Sequence, residues 1–315
     1  MRIVLIGQAA FGEKVLEARL PMGDQVVGVF CPPERSGKAN SLRDLAHHHS
    51  IPVYQPQRLR DFEVFETFKY LRPDLNVMAF VTDIVPERIL NLPRYGAIQY
   101  HPSLLPRHRG GSAINWAIIN GETTTGLSIF WPDRGIDTGP ILLQKIVPID
   151  SADTCGSLYF DKLFPLGVET LVEAIALVRD GAAPRIAQDE ALATYEPLCT
   201  EARAAIDWSQ PVEKVYNLIR GCNPQPGAVT LFRDQRLKVF DCERQPLPRP
   251  AEPGEVLAAT DEGVWVATLD GAILIKRVQP DGSPKIKATD LAVTDSLKAG
   301  ERFSAPVGVA CNAGC

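Results

Sequence analysis

Over the first 150 residues, short apolar runs alternate with stretches whose apolar positions recur at helical spacing. The runs "RIVLIG" (2–7), "QVVGVFC" (25–31), "PVYQP" (52–56), "LNVMAF" (75–80), "GAIQYH" (96–101), "GLSIFW" (126–131) and "PILLQKIVPI" (140–149) predict strands. Helical patterns between most of them predict βα units around a parallel sheet. Next, "LYFDKLFPLGVETLVEAIALVRD" reads as a long amphipathic helix with Ser151 or Asp153 as N-cap and Gly181 as its stop. Pro165 inside it predicts a kink or a later start.

Near residue 200 the pattern changes. A helix is predicted after Ser209, with Pro211 in its first turn. Short alternating runs follow, "RLKVFDCE", "GEVLAAT", "GVWVATLD" and "GAILIKRVQ", each bounded by Gly, Pro or Asp, and these predict a small antiparallel barrel or sandwich. The expected organisation is an α/β domain over 1–203, an antiparallel β-barrel domain over 204–300 and a flexible tail over 301–315.

Composition adds limits. At 45% hydrophobic residues, 315 residues can bury real cores. No apolar run approaches the roughly 20 residues of a membrane span, and Gly7 and Gly12 interrupt the N-terminal run where a leader needs an unbroken one. A cytoplasmic protein without membrane contact is expected. Seven scattered cysteines (31, 155, 199, 222, 242, 311, 315), odd in number, predict reduced thiols. The closing "CNAGC" has no partner His or Cys nearby and reads as tail rather than half a metal site, and no metal is expected. A net charge of -5 supplies no global attraction to phosphate backbones.

Several motifs carry no chemistry under scrutiny. "GQAAFG" lacks the G-x-G-x-x-G spacing of a dinucleotide site and reads as a tight strand-to-helix turn. "HHH" (47–49) would point three ways from a helix, about 100° apart, and cannot converge on one ion. "RHRGG" (107–111) reads equally as an anion-binding loop or a surface loop. His101 differs because it closes an apolar strand, where ligand chemistry gathers in open α/β sheets; the alternative is a core histidine satisfied by a carbonyl. Asp137 lies between Gly135 and Gly139, which free the backbone to aim its carboxylate inward. An imidazole and a carboxylate from two adjacent strand ends, without a nucleophile of their own, make an acid/base pair suited to a bound donor.

"QYHPSLLPRHRG" and, about 35 residues later, "DRGIDTG" resemble the N-x-H…S-L-L-P and D-x-G-x-D-[TAG]-G motifs of the 10-formyltetrahydrofolate-dependent formyltransferases. That family includes methionyl-tRNA formyltransferases and the N-terminal hydrolase domain of 10-formyltetrahydrofolate dehydrogenase. The resemblance is strongest to the hydrolase domain. It implies a Rossmann-like formyltransferase domain followed by an OB-like barrel, with 10-formyltetrahydrofolate as co-substrate in one-carbon metabolism. It implies that protonated His101 stabilises the oxyanion of formyl transfer, while Asp137 holds the imidazole and helps move the nucleophile's proton toward N10 of the folate. The pterin is expected in a cleft lined by Met78, Ala79, Phe80 and Val81 on one side and Trp131, Pro132, Asp133, Gly135 and Ile136 on the other. Gln99 stands where amine-formylating members carry an Asn that donates to the formyl oxygen.

The acceptor stays open between water and an amine, either methionyl-tRNA, an amino sugar or another small amine. The hydrolase domain also lacks the Asn, which favours water. From Ala204 onward thirteen Lys/Arg face fourteen Asp/Glu, and "CPPERSGKANSLRD" mixes both signs, so tRNA binding is disfavoured. The 315 residues have no counterpart of the dehydrogenase's aldehyde-oxidising domain, so no NADP-dependent oxidation is expected.

Overall fold

Arg2–Gly7 (β1), buried from Ile3 onward, is an interior strand of a seven-stranded sheet in a computed structural model that describes residues 1–33 and 40–306. The other strands are β2 (Gln25–Phe30), β3 (Val53–Tyr54), β4 (Leu75–Ala79), β5 (Ala97–His101), β6 (Thr124–Phe130) and β7 (Ile141–Pro148), in the order β3-β2-β1-β4-β5-β6-β7. Strands β1 to β5 pair in parallel, as the βα alternation requires. The helices of this half of the chain are α1 (Ala9–Arg19), α2 (Ser41–His48), α3 (Phe62–Leu71), α4 (Glu87–Leu90), α5 (Ala113–Ile119), α6 (Cys155–Ser157) and α7 (Phe164–Arg179).

One expectation needs correction. β6 runs antiparallel to β5, with His101 opposite Ser128 and Gln99 opposite Phe130. A parallel return needs a crossover element packed on the sheet, and α5 instead groups with the second unit of the chain. The sheet is therefore mixed at this edge.

The chain divides into two units. The first comprises Met1–Ala113, Thr125–Val147 and Phe160–Glu196. In it Met78, Phe30, Phe68 and Ile89 belong to one buried cluster of the sheet, and Tyr100 packs its ring 4.5 Å from Phe11, which in turn meets Phe164 edge-on. Pro165 falls in the first turn of α7, after a π-helical turn at Leu158–Leu163, which is the later start that a missing N–H predicts.

The second unit comprises Ile114–Thr124, Pro148–Tyr159 and the chain from Pro197 onward. After α8 (Val212–Gly221) come β8 (Ala228–Phe232), β9 (Gln235–Pro246), β10 (Val256–Ala259), β11 (Val264–Ala267), β12 (Gly271–Pro280), β13 (Ile286–Lys287), α9 (Ala288–Thr294) and β14 (Phe303–Ser304). They form an antiparallel sheet in the order β10-β11-β12-β9-β8-β14, with β13 beside β12. Glu255, next to β10, pairs with Arg302, next to β14, so the two ends of the path meet and the sheet closes on itself. Ile206, Trp208, Val215, Ile219, Val239, Ile273 and Phe303 share its core. The expected α/β class with a following antiparallel barrel is borne out.

Among the described residues no helix is long and apolar enough to cross a membrane, and no group of three or more His, Cys, Asp or Glu is placed to hold a metal ion. The histidine run closes α2 at its exposed end. Residues 34–39 of "CPPERSGKANSLRD", along with Cys311 and Cys315, lie outside the described residues.

Candidate active site

Side chains alternate along a strand, so Tyr100 enters the core while Gln99 and His101 share the opposite face of β5. His101, 5% exposed, directs Nε2 at the backbone oxygen of His108, 2.9 Å away. A carbonyl can only accept, so Nε2 carries a proton and Nδ1 is the nitrogen left for chemistry. Nδ1 lies 3.5 Å from Oδ2 of Asp137.

β6 passes His101 at Ser128 and ends at Phe130 opposite Gln99, two residues beyond it, so its loop must turn back along the sheet to bring Asp137 there. The loop's own residues accomplish this. Asp133 Oδ1 accepts from the Gly135 amide (2.9 Å) and the Thr138 hydroxyl (2.6 Å), closing an Asx-type turn. A Cβ at Gly139 would fall 1.8 Å from the Trp131 oxygen, so only glycine lets the two arms of the loop meet. Asp137 has φ +56, a left-handed conformation that Asp tolerates better than most residues. The Gly110 amide, itself at φ +106, then donates to Asp137 Oδ2 at 2.8 Å.

The "SLLP" turn is fastened independently. Ser128, opposite His101, donates to the Ser103 oxygen (2.7 Å) and accepts from the Leu105 amide (3.0 Å), while Gln144 donates to both the Leu105 oxygen and the Ser128 hydroxyl. His101 is therefore held between its own ring contacts and a braced turn.

The structure brings His101 and Asp137 together and sets Gln99 on the same face as His101. The residues expected to line a pterin cleft flank β5 from two sides: Met78 pairs with Gln99 across β4, and Phe130, just before Trp131, pairs with it across β6. Met78 and Ala79 are buried, Phe80 turns out of the strand at φ +62, and Val81 is half-buried. Trp131 is buried, with its indole N–H on the Pro184 oxygen at 2.9 Å and the Arg185 guanidinium 3.9 Å over its ring. Pro132 is half-buried, while Asp133, Gly135 and Ile136 are exposed.

Sequence reasoning missed the support around this pair. Arg109 is neither a surface residue nor an available anion ligand. It is fully buried and its guanidinium is filled by Gln188, Glu190 and Tyr195. The Glu190 hydrogen bond holds Arg109 above its usual pKa and, reciprocally, holds the Glu190 carboxyl below the usual range. Gln188 also donates to the oxygens of Asp137 and Gly139. No motif marks Gln188 in the sequence, and its partner Arg109 gives no signal either, because burial is not written in residue type.

Chemically, a proton on Nδ1 of His101 faces a carboxylate, and a neutral Nδ1 is a base. This site can donate a hydrogen bond to developing negative charge and relay a proton, without supplying a nucleophile.

Fold and site thus define a class: a Rossmann-like α/β domain bearing an imidazole–carboxylate pair, followed in the same chain by an antiparallel barrel. Residues 1–175 match the family described as formyl transferase, and residues 199–295 match the formyl transferase C-terminal domain. The chain belongs to the formyl transferase family. It is 40% identical over 304 residues to the cytosolic 10-formyltetrahydrofolate dehydrogenase of Xenopus laevis, an alignment that covers 92% of this chain and 34% of that protein. It is 39% identical over 314 residues to the methionyl-tRNA formyltransferase of Symbiobacterium thermophilum, covering 97% of this chain and 96% of that protein. The chain spans about a third of the length of the dehydrogenases it matches. In fold it is similar to HypX from Aquifex aeolicus in complex with tetrahydrofolic acid, with TM-score 0.65 and 20% identity over 92% of this chain and 46% of that one. It is likewise similar to an N-formyltransferase from Helicobacter canadensis, with TM-score 0.66 and 18% identity over 88% of this chain and 98% of that one.

Proposed function

We propose that this chain takes 10-formyltetrahydrofolate as its donor and passes the formyl group to water, releasing formate and tetrahydrofolate. The observation that carries the reaction type is the His101–Asp137 pair, with Nδ1 of the imidazole 3.5 Å from Oδ2 and Nε2 tied to the His108 oxygen. In this reading the water oxygen attacks the formyl carbon. Protonated His101 then stabilises the oxyanion through Nδ1–H by a charge-assisted hydrogen bond. Asp137 accepts one proton of the attacking water and relays it to N10, the C–N bond breaks, and formic acid leaves, losing its remaining proton to solvent as formate. The pterin occupies the cleft between Met78–Val81 and Trp131–Ile136. Gln99 keeps an amide on the His101 face, one methylene further out than the Asn of amine-formylating relatives.

Water rather than tRNA is supported by six cations of the second unit that are already answered. Arg236 and Lys238 pair with Glu201, Arg233 with Glu301, Arg244 with Glu213, Arg249 with Glu255 and Lys276 with Glu243. A surface that binds a polyanion by counterion release needs uncommitted cations. The second reading, an amine acceptor, is favoured by the 39% identity along 96% of a methionyl-tRNA formyltransferase.

Incubation with 10-formyltetrahydrofolate alone separates the two, following folate absorbance and formate. Turnover without an amine supports the hydrolase. Turnover only after methionyl-tRNA or a small amine is added overturns water as acceptor, and no turnover under any of these conditions overturns the donor assignment.

A further inference from the structure

Three consecutive residues, His108, Arg109 and Gly110, reach both members of the pair. The His108 oxygen receives His101 Nε2, the Gly110 amide donates to Asp137 Oδ2, and the Arg109 side chain between them goes to Gln188. Arg109 Nε and Nη2 lie 3.2 and 2.7 Å from Gln188 Oε1. Gln188 Nε2 in turn donates to the Asp137 oxygen at 2.8 Å and the Gly139 oxygen at 2.7 Å. A primary amide has two N–H donors and one carbonyl oxygen, and here both ends of Gln188 are committed.

The geometry points to Gln188 as a positioning residue of the formyl-transfer site: clamped by Arg109, it fixes the backbone on either side of Thr138, so that Asp137 holds φ +56 and its carboxylate stays beside His101. The inference rests on the assignment of His101 and Asp137 as the acid/base pair and adds a residue that touches neither substrate nor reacting atoms. The residue types explain why an amide is needed. A carboxylate at 188 keeps the Arg109 contact yet offers no N–H to the two carbonyls, and an apolar side chain of the same length serves neither.

A double-mutant cycle on turnover tests it. Gln188→Glu is expected to lower turnover of 10-formyltetrahydrofolate by about 10- to 100-fold, the size of effect that a misplacement of about 1 Å produces. In an Asp137→Asn background the same change is expected to cost nothing beyond a factor of about two, because a residue that acts only through Asp137 has nothing left to position. A merely structural role would multiply the two losses, and equal fold-losses in both backgrounds overturn the inference. Unchanged turnover in Gln188→Glu overturns it as well, while leaving the acid/base pair intact. Unchanged turnover in Asp137→Asn itself overturns both the inference and the pair on which it rests. Gln188→Met runs alongside with the same expectation, and thermal unfolding identifies which variant is folded. Failure of both to fold would assign Gln188 to stability alone and likewise overturn the proposal.

Discussion

Replacing Asp137 by Asn removes one charge, and with it the proton acceptor, while leaving shape and backbone nearly unchanged. The residue sits at φ +56, where Asn is nearly as well accommodated as Asp, whereas Ala would add a backbone penalty of about 1 kcal/mol. The Asn amide oxygen can still accept from the Gly110 amide, now 2.8 Å from Oδ2, so the loop keeps its anchor. What disappears is the proton acceptor of the proposed relay and the attraction between the carboxylate and an imidazolium, of which the second can be sized from the structure. Two unit charges at the observed 3.5 Å interact with about 5 kcal/mol at an effective dielectric near 20. With 6% and 11% of the two side chains exposed, solvent and desolvation take part of that, and about 3–4 kcal/mol remains for the transition state. Turnover of 10-formyltetrahydrofolate should therefore fall by two to three orders of magnitude, at about 1.36 kcal/mol per tenfold. Folate binding, read by fluorescence quenching, and the thermal midpoint should stay close to wild type. Turnover within about fivefold of wild type in a folded Asp137→Asn chain would refute the assignment.

Two further expectations concern the second unit. The Cys199 thiol is held below its usual range by the hydrogen bond with Cys222, 3.8 Å away, whereas burial pushes Cys155 up to about 12 and also raises Cys31 and Cys242. The same Cys199 contact, with burial, raises Cys222. Since the thiolate is the reactive form, an alkylating reagent at pH 8 should modify Cys199 before Cys31, Cys155, Cys222 or Cys242, and peptide mapping that finds Cys155 or Cys222 first would contradict this. Hydrogen bonds from Lys238 to Glu201, from the Lys298 amide to Glu301 and from Arg249 to Glu255 hold these carboxyls below their usual values. A depressed folded pKa contributes stability above the unfolded value of about 4.3 that is lost as pH falls through the folded one, so melting temperature should drop below about pH 4, and Glu201→Gln should make that drop shallower.

The parts of this molecule that were legible beforehand are those that side chains announce. Apolar runs located β1 to β7, Pro165 delayed α7, and a histidine closing one apolar strand with an aspartate in the loop after another pointed to the two residues that the structure brings together. What stayed hidden has specific causes. Apolar periodicity carries no direction, so the reversal of β6 against β5 left no trace. Arginine usually marks solvent, so Arg109 read as a surface or ligand residue although it is wholly enclosed. Gln188 lies 51 residues beyond Asp137 and reaches it only because the chain returns past the loop. The His108 oxygen and the Gly110 amide belong to groups that nearly every residue carries, so no residue type could single them out.

That last point bears on how such a site can diverge. His101 and Asp137 are gripped by a carbonyl and an amide of the main chain, contacts that side-chain exchange at neighbouring positions leaves untouched provided residue 110 stays glycine, since a Cβ there would meet the Glu196 oxygen at 2.8 Å. On the proposed assignment of the pair, the proton-handling half of the centre is thereby insulated from drift in the surfaces that choose an acceptor. On that same proposal, descendants of one scaffold can exchange water for an amine at Gln99 and its surroundings while inheriting the same acid/base geometry unaltered.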